Sequence, residues 1–161
     1  MKNILLIVFS LVLFSCNSSA QNKKNAKETH DFAVVKTEAE WKAELTPLQY
    51  NVLREAGTER PFSSPLNKTY EAGTYVCAAC NTPLFEGKHK FDSGTGWPSF
   101  DREVTGNVVF DTDHKIGYER TEELCGTCGG HLGHVFNDGP RETTGKRHCV
   151  NGAALKFIPK E

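Results

Sequence analysis

Two Cys-x-x-Cys pairs, two solitary cysteines and a His-x-x-His pair carry the chemistry open to this chain. Cys77-Ala78-Ala79-Cys80 and Cys125-Gly126-Thr127-Cys128 each set two thiols across a tight turn. Two such knuckles facing each other make a tetrahedral four-sulfur site, a geometry that Zn2+ accepts without electronic preference. Small residues inside both knuckles let backbone N–H groups approach the sulfurs and temper their charge. Because 44 residues separate Cys80 from Cys125, a bound ion would cross-link distant parts of a small fold. With all four positions filled by protein, that ion is structural rather than catalytic. Two disulfides or an iron–sulfur centre are the alternatives for the same cysteines.

Cys149, in Arg147-His148-Cys149-Val150-Asn151, is the thiol left over once the knuckles and Cys16, read below as a lipid-bearing residue, are set aside. Its basic neighbours Arg147 and His148 are placed to favour a thiolate, the form that reacts. His131 and His134, in Gly129-Gly130-His131-Leu132-Gly133-His134-Val135-Phe136, are candidate proton donors or holders of a polar substrate atom. The plain alternatives are an inert buried cysteine and two structural histidines. In Lys90-Phe91-Asp92-Ser93-Gly94-Thr95-Gly96-Trp97-Pro98-Ser99-Phe100, glycines and a proline shape a loop that presents Trp97 as a pocket wall or as packing. These residues define a zinc-stabilised β domain, with a Cys/His redox enzyme as one reading of the leftover thiol.

The elements that must position these groups are short. Thr37 with Glu40, and Thr46 with Gln49, form capping boxes, and Pro47 suits the first helical position. They predict helices at 38–45 and 47–56, the second stopped by Gly57, with Trp41, Leu45, Leu48, Val52 and Leu53 on the packing face. From Gly73 onward, β-like runs alternate with turn residues: Thr74–Cys77, Val108–Asp111, Lys115–Leu124, Val135–Phe136 and Ala153–Ile158. The expectation is a mainly β unit of antiparallel sheets with short N-terminal helices and a zinc-binding double knuckle.

The chain has 161 residues, with 19 Lys and Arg against 20 Asp and Glu. This is one ordinary domain, too short for a two-domain dinucleotide enzyme or a full (β/α)8 barrel. A formal charge of −1 gives no bulk attraction to nucleic acid, and none is expected as a partner. Residues 1–15 read as an export signal peptide, with positive Lys2 followed by the apolar run Ile4–Phe14. Leu13-Phe14-Ser15-Cys16 resembles a bacterial lipobox, which predicts cleavage before Cys16 and its lipidation. An ordinary secretion signal and a retained membrane anchor are the alternatives. Residues 16–33 lack large apolar periodicity and read as a lipidated cysteine and flexible tether, leaving 34–161 as the catalytic domain. The chain is therefore expected to be exported and membrane-anchored, facing the periplasm or cell exterior.

The motifs TPLQYNVLREAGTERPFSSPLN, GTYVCAAC, KFDSGTGWPSF, CGTCGGHLGHVFNDGP and RHCVNGAALKF together resemble the B-type methionine sulfoxide reductases, over about Ala39 to Pro159. That resemblance implies antiparallel sheets, one structural zinc on Cys77, Cys80, Cys125 and Cys128, and thiol-dependent reduction of methionine-R-sulfoxide in oxidised proteins. It makes Cys149 the catalytic cysteine, with His131, His134, Asn151 and Arg147 as polar residues of the active site. Trp97 corresponds to the aromatic that meets the substrate methyl, with Phe136 as apolar support. Thr95 stands where many relatives carry a resolving cysteine, which points to a one-cysteine cycle regenerated by a thioredoxin-like or small-thiol reductant. Gly152 replaces a serine common in the family and is expected to loosen the local strand. A redox-inert zinc module and a thiol–disulfide oxidoreductase are the rival readings.

Overall fold

The computed structural model describes residues 30–161, so the signal peptide, Cys16 and most of the 16–33 tether lie outside the described residues. Two helices open the fold, α1 (Glu38–Glu44) and α2 (Pro47–Glu55). Both begin in reciprocal capping boxes: Glu40 N–H donates to Thr37 Oγ1 at 3.3 Å, and Gln49 N–H to Thr46 Oγ1 at 3.3 Å. Trp41, Leu45, Val52 and Leu53 are buried as expected, but Leu48 is exposed, because it falls on the outer side of α2. The stop of α2 also differs. Ala56 takes the left-handed cap at φ 51°, and Gly57 follows it, its N–H closing on the Asn51 carbonyl.

Nine strands follow: β1 (Gly73–Cys77), β2 (Pro83–Glu86), β3 (Lys90–Phe91), β4 (Ser99–Phe100), β5 (Val108–Asp113), β6 (Arg120–Cys125), β7 (His131–Phe136), β8 (Arg147–Val150) and β9 (Leu155–Pro159). They make two antiparallel sheets, ordered β2-β1-β9 and β3-β4-β8-β7-β6-β5. Tyr75 of the first sheet meets Phe100 of the second edge-on at 4.9 Å, and Phe85 stacks on Phe100 at 4.4 Å. This aromatic seam, with Leu84, Leu132 and Val150, is the core between the sheets.

The expected Lys115–Leu124 strand is shorter in the structure. Only Arg120–Cys125 pairs with neighbours, while Gly117 (φ 87°) makes a turn that leaves Ile116 and Tyr118 exposed. The polar residues ahead of Arg120 pay no desolvation there, so the turn prevails over the pattern. The Val135–Phe136 run extends back to His131, and the final strand begins at Leu155 after a 3-10 turn over Gly152–Ala154.

Candidate functional site

Strand register brings the site together. Ser99 on β4, Cys149 on β8, His134 on β7, Glu122 on β6 and Asp111 on β5 are successive cross-strand partners, a single row on one face of the sheet. Arg147 and Phe136, two residues along their strands from Cys149 and His134, share that face. Gly133 allows the close approach of β7 and β8, since a Cβ there would lie 2.0 Å from the Cys149 carbonyl oxygen.

His131 and His134 are three apart, a spacing that puts side chains on opposite faces of a regular strand. Here β6 and β7 slip register between Glu123 and Leu124: Glu123 pairs with Gly133 and Leu124 with His131. Leu132 is the extra residue of this bulge, and the slip turns both imidazoles to the Cys149 face. Their rings lie 5.4 Å apart, edge to face.

Each histidine has its own carboxylate. His131 Nδ1 is 2.5 Å from Glu122 Oε1, and His134 Nε2 is 2.8 Å from Asp113 Oδ2. Those partners assign Nδ1–H to His131 and Nε2–H to His134, leaving the opposite nitrogens for a ligand. Burial holds His134 below its usual pKa, and the Arg120 charge adds to this against the Asp113 hydrogen bond. Burial also opposes ionisation of Asp113. The Lys115 N–H, His134 and Arg120 outweigh it and keep that carboxyl well below its ordinary range.

Cys149 is half-buried, and burial pushes its thiol pKa up, with Arg147 and the Thr95 hydroxyl opposing and Glu123 reinforcing the rise. Arg147 is held by two hydrogen bonds to Asp138, both 2.9 Å, and its guanidinium lies 4.5 Å from the Phe136 ring centre. His148, expected to support a thiolate, does not face Cys149. As the next residue in a strand it points through the sheet into the core, where it is fully buried and bonded to Glu123.

Asn151 and Trp97 converge on Glu59, a residue the sequence reading passed over. Asn151 Oδ1 accepts from Glu59 N–H at 3.0 Å, and its amide donates to the Leu132 carbonyl at 3.0 Å. Trp97 Nε1–H donates to the Glu59 carbonyl at 3.2 Å. The Glu59 carboxylate accepts from Gly152 N–H at 2.7 Å and Ala153 N–H at 2.8 Å. Burial raises the pKa of this carboxyl, while those two donors hold it down. One buried residue thus fixes the turn after Cys149 through its carboxylate and anchors the Trp97 ring through its backbone carbonyl. Its signal was available in the GTERPFSSP motif, as an acidic residue among turn-formers. Gly152, expected to loosen a strand, instead lies in a buried turn whose free space is filled by Ser64.

The four knuckle cysteines form one cluster, with all sulfurs within 4.8 Å of each other. Cys80 and Cys125 sulfurs are 3.5 Å apart, and Cys77 and Cys128 sulfurs 3.8 Å. A tetrahedral zinc with Zn–S bonds of about 2.3 Å has sulfurs about 3.8 Å apart. The cysteines are free thiols, too far apart for S–S bonds. The donor set therefore fits a metal ion and not the disulfide alternative.

A family model described as the SelR domain matches residues 45–159. The chain is 54% identical over 134 residues to a peptide methionine sulfoxide reductase MsrB of Bradyrhizobium diazoefficiens, covering 83% of this chain and 96% of that one. A protein of the same name from Leptospira interrogans is 55% identical over 128 residues, 79% of this chain and 97% of its own. One from Chromohalobacter salexigens is 51% identical over 131 residues, 80% and 97% respectively.

Proposed function

The chain belongs to the SelR-domain family of MsrB-type peptide methionine sulfoxide reductases, and from that premise we propose that it reduces methionine-R-sulfoxide in oxidised proteins through Cys149. The observation that carries this reading is the cross-strand register that faces Cys149 with His134, beside Arg147 and the bulge-turned His131. Cys149 attacks the sulfoxide sulfur as its thiolate, and Arg147 supports that charge. The sulfoxide oxygen takes a proton from the imidazolium of His131 or His134, held in orientation by Glu122 or Asp113. Oxygen passes to Cys149 as the hydroxyl of a sulfenic acid, two electrons pass to the substrate sulfur, and methionine leaves. Trp97 and Phe136 offer apolar surface for the S-methyl group. Asn151 holds the β7 and Glu59 backbones against one another and so sets the position of the turn beyond Cys149.

Regeneration requires a thiol from outside. Thr95 presents a hydroxyl 3.9 Å from the Cys149 sulfur, and the other cysteines among the described residues belong to the metal cluster. A small thiol or thioredoxin-like reductant attacks the sulfenic acid, releasing water and forming a mixed disulfide. A second thiol then releases reduced Cys149 and carries away the disulfide. Cys77, Cys80, Cys125 and Cys128 would hold one zinc, which supplies a structural cross-link. Upstream, residues 1–15 act as an export signal and Cys16 as a lipidated anchor at a bacterial membrane, with the domain facing the periplasm or cell exterior.

Stereospecific turnover with dithiothreitol tests the assignment. The wild type should consume the R epimer of methionine sulfoxide and spare the S epimer, and Cys149→Ser should be inert with its metal retained. Full activity in Cys149→Ser, or preference for the S epimer, overturns the reading.

A further inference from the structure

The loop that carries Trp97 also holds a run of hydroxyls that ends at the sulfur of Cys149. Thr95 Oγ1 lies 3.9 Å from Cys149 Sγ. Ser93 Oγ lies 2.8 Å from Thr95 Oγ1 and 2.7 Å from Ser99 Oγ. The Ser99 hydroxyl donates to the Trp97 carbonyl at 3.1 Å. Gly94 and Gly96, at φ 72° and 95°, bend the backbone through left-handed turns, so three residues distant along the loop meet in one line. Ser99 is fully buried and is the cross-strand partner of Cys149.

Each hydroxyl has one hydrogen to give, and that count fixes the direction of the line. With Cys149 protonated, S–H donates to Thr95, Thr95 to Ser93, Ser93 to Ser99, and Ser99 to the Trp97 carbonyl. Every donor is used once. With Cys149 ionised, the same order would aim a Thr95 lone pair at an anion. Rotation of three hydroxyl hydrogens reverses the line: Ser99 donates to Ser93, Ser93 to Thr95, and Thr95 to the thiolate. The cost is the Ser99 bond to the Trp97 carbonyl. No O–H bond breaks, and the proton lost from sulfur goes to bulk water, because a line that ends on a carbonyl cannot pass a proton onward.

We propose that Ser93, Thr95 and Ser99 form a reversible hydroxyl line that turns a donor toward Cys149 whenever its sulfur is anionic, with Ser93 and Ser99 as positioning residues acting through Thr95. The proposal rests on the reading of Cys149 as the nucleophile. It gives Thr95 a function of its own, in place of the resolving thiol that this chain lacks. Burial works against the thiolate, and Thr95 is one of two groups that offset it, the other being Arg147. The remaining charged groups around Cys149 are His134 and His131 on β7 with Asp113 and Glu122, Asp138 beyond Arg147, and Glu123 acting through the sheet from the opposite face. None of them belongs to the 93–99 loop, whose contribution is hydroxyl donors alone.

The test uses the metal-loaded full chain and reads the pH dependence of Cys149 alkylation by iodoacetamide, followed by peptide mass spectrometry. Thr95→Val should raise the midpoint by about 0.5–1 pH unit, the size expected for one hydrogen bond to an anion in a partly solvated site, whereas Ser93→Ala leaves Ser99 on the Trp97 carbonyl in both states, removes the cost of reversal and should lower the midpoint. Ser93→Thr and Thr95→Ser keep the hydroxyl and should titrate like the wild type. A merely structural role would lower the melting temperature without moving the midpoint. A Thr95→Val midpoint equal to the wild type, an unmoved or raised midpoint in Ser93→Ala, or a shift in Ser93→Thr or Thr95→Ser would overturn the proposal. Wild-type turnover of methionine-R-sulfoxide in the same samples reports separately on the reductase reading, since alkylation follows the sulfur whether or not sulfoxide is reduced.

Discussion

Adding one methyl group at Gly152 should unsettle the turn that follows Cys149. A Cβ built on Gly152 would stand 2.0 Å from Ser64 Oγ and 2.4 Å from Ser64 Cβ. Rotating Ser64 moves the oxygen but leaves its Cβ in place, so relief requires a backbone shift. Rotation also withdraws Ser64 Oγ from the Leu66 N–H, which it caps at 3.2 Å. Overpacking of this kind costs about 1–3 kcal/mol and loss of a cap about 1 kcal/mol. Gly152 has no positive φ, so alanine is conformationally allowed there and returns about 0.5–1 kcal/mol by restricting the unfolded chain. The net expectation for Gly152→Ala is a loss of about 2 kcal/mol, or a melting temperature lower by about 8 °C in a domain of this size. Thermal unfolding by circular dichroism on the wild type, Gly152→Ala, Ser64→Gly and the double variant measures the coupling. With Ser64 trimmed, the nearest of the three contacts left is Glu59 Oε1 at 3.2 Å, which is tight but tolerable. The double variant should therefore recover most of the loss, with a coupling of about 1.5–2 kcal/mol. Strict additivity of the two substitutions would refute the packing argument.

Three further outcomes follow from the site. Thr95→Cys should form a disulfide with Cys149 after one turnover, visible by peptide mass spectrometry, whereas the wild type should keep a dimedone-reactive Cys149; an internal disulfide in the wild type would end the one-cysteine cycle. Asp113→Asn removes the carboxylate that resists the depression of His134, so the alkaline limb of the turnover profile, where a proton donor is lost, should move to lower pH with about a tenfold loss of kcat/KM at neutral pH; an unmoved limb would exclude His134 as the proton donor. The stability sign agrees with that shift: folding favours neutral His134, so its contribution is complete above about pH 6.5 and is lost as pH falls through the depressed native value. Stripping metal with a chelator should lower the melting temperature steeply, elemental analysis of the native chain should give one zinc, and a metal-free chain of unchanged stability would contradict the structural role.

Local physics was legible in the residues. Thr37 and Glu40, Thr46 and Gln49, and Pro47 placed both helix starts, because capping depends on contacts three residues apart. The two knuckles announced a four-sulfur cluster, because tight Cys-x-x-Cys turns leave few other uses for four thiols. What escaped was set by pairing across strands. No local pattern reveals that Leu132 bulges, so the common orientation of His131 and His134 could not be read from a spacing of three. Glu122 and Glu123 fall in the expected Lys115–Leu124 run with nothing local to mark them, yet both are buried, one behind His131 and the other behind His148. Glu59 was hidden for the same reason: its partners Asn151, Gly152 and Ala153 lie more than ninety residues away.

The metal cluster and the sulfur chemistry, separate in the sequence, meet through one hairpin. Cys125 ends β6 and Cys128 lies three residues before β7, so the second knuckle closes the hairpin that carries Glu122, His131 and His134. Cys77 ends β1, which pairs with β9, the strand entered directly from the turn that follows Cys149 and Asn151. Bringing Cys77 against Cys128 and Cys80 against Cys125 therefore ties the histidine hairpin to the far side of Cys149. Arg54 adds a second tie by donating to the Cys128 carbonyl at 3.0 Å from α2. Loosening the cluster should thus change the distance between Cys149 and the two histidines before it unfolds the domain. Cys80 is the least buried of the four ligands, so Cys80→Ser is the gentlest cut. It should lower kcat at temperatures where circular dichroism still reports a folded chain, while the midpoint of Cys149 alkylation stays near that of the wild type. A kcat that falls only in step with the folded fraction would show that the cluster supports the fold alone.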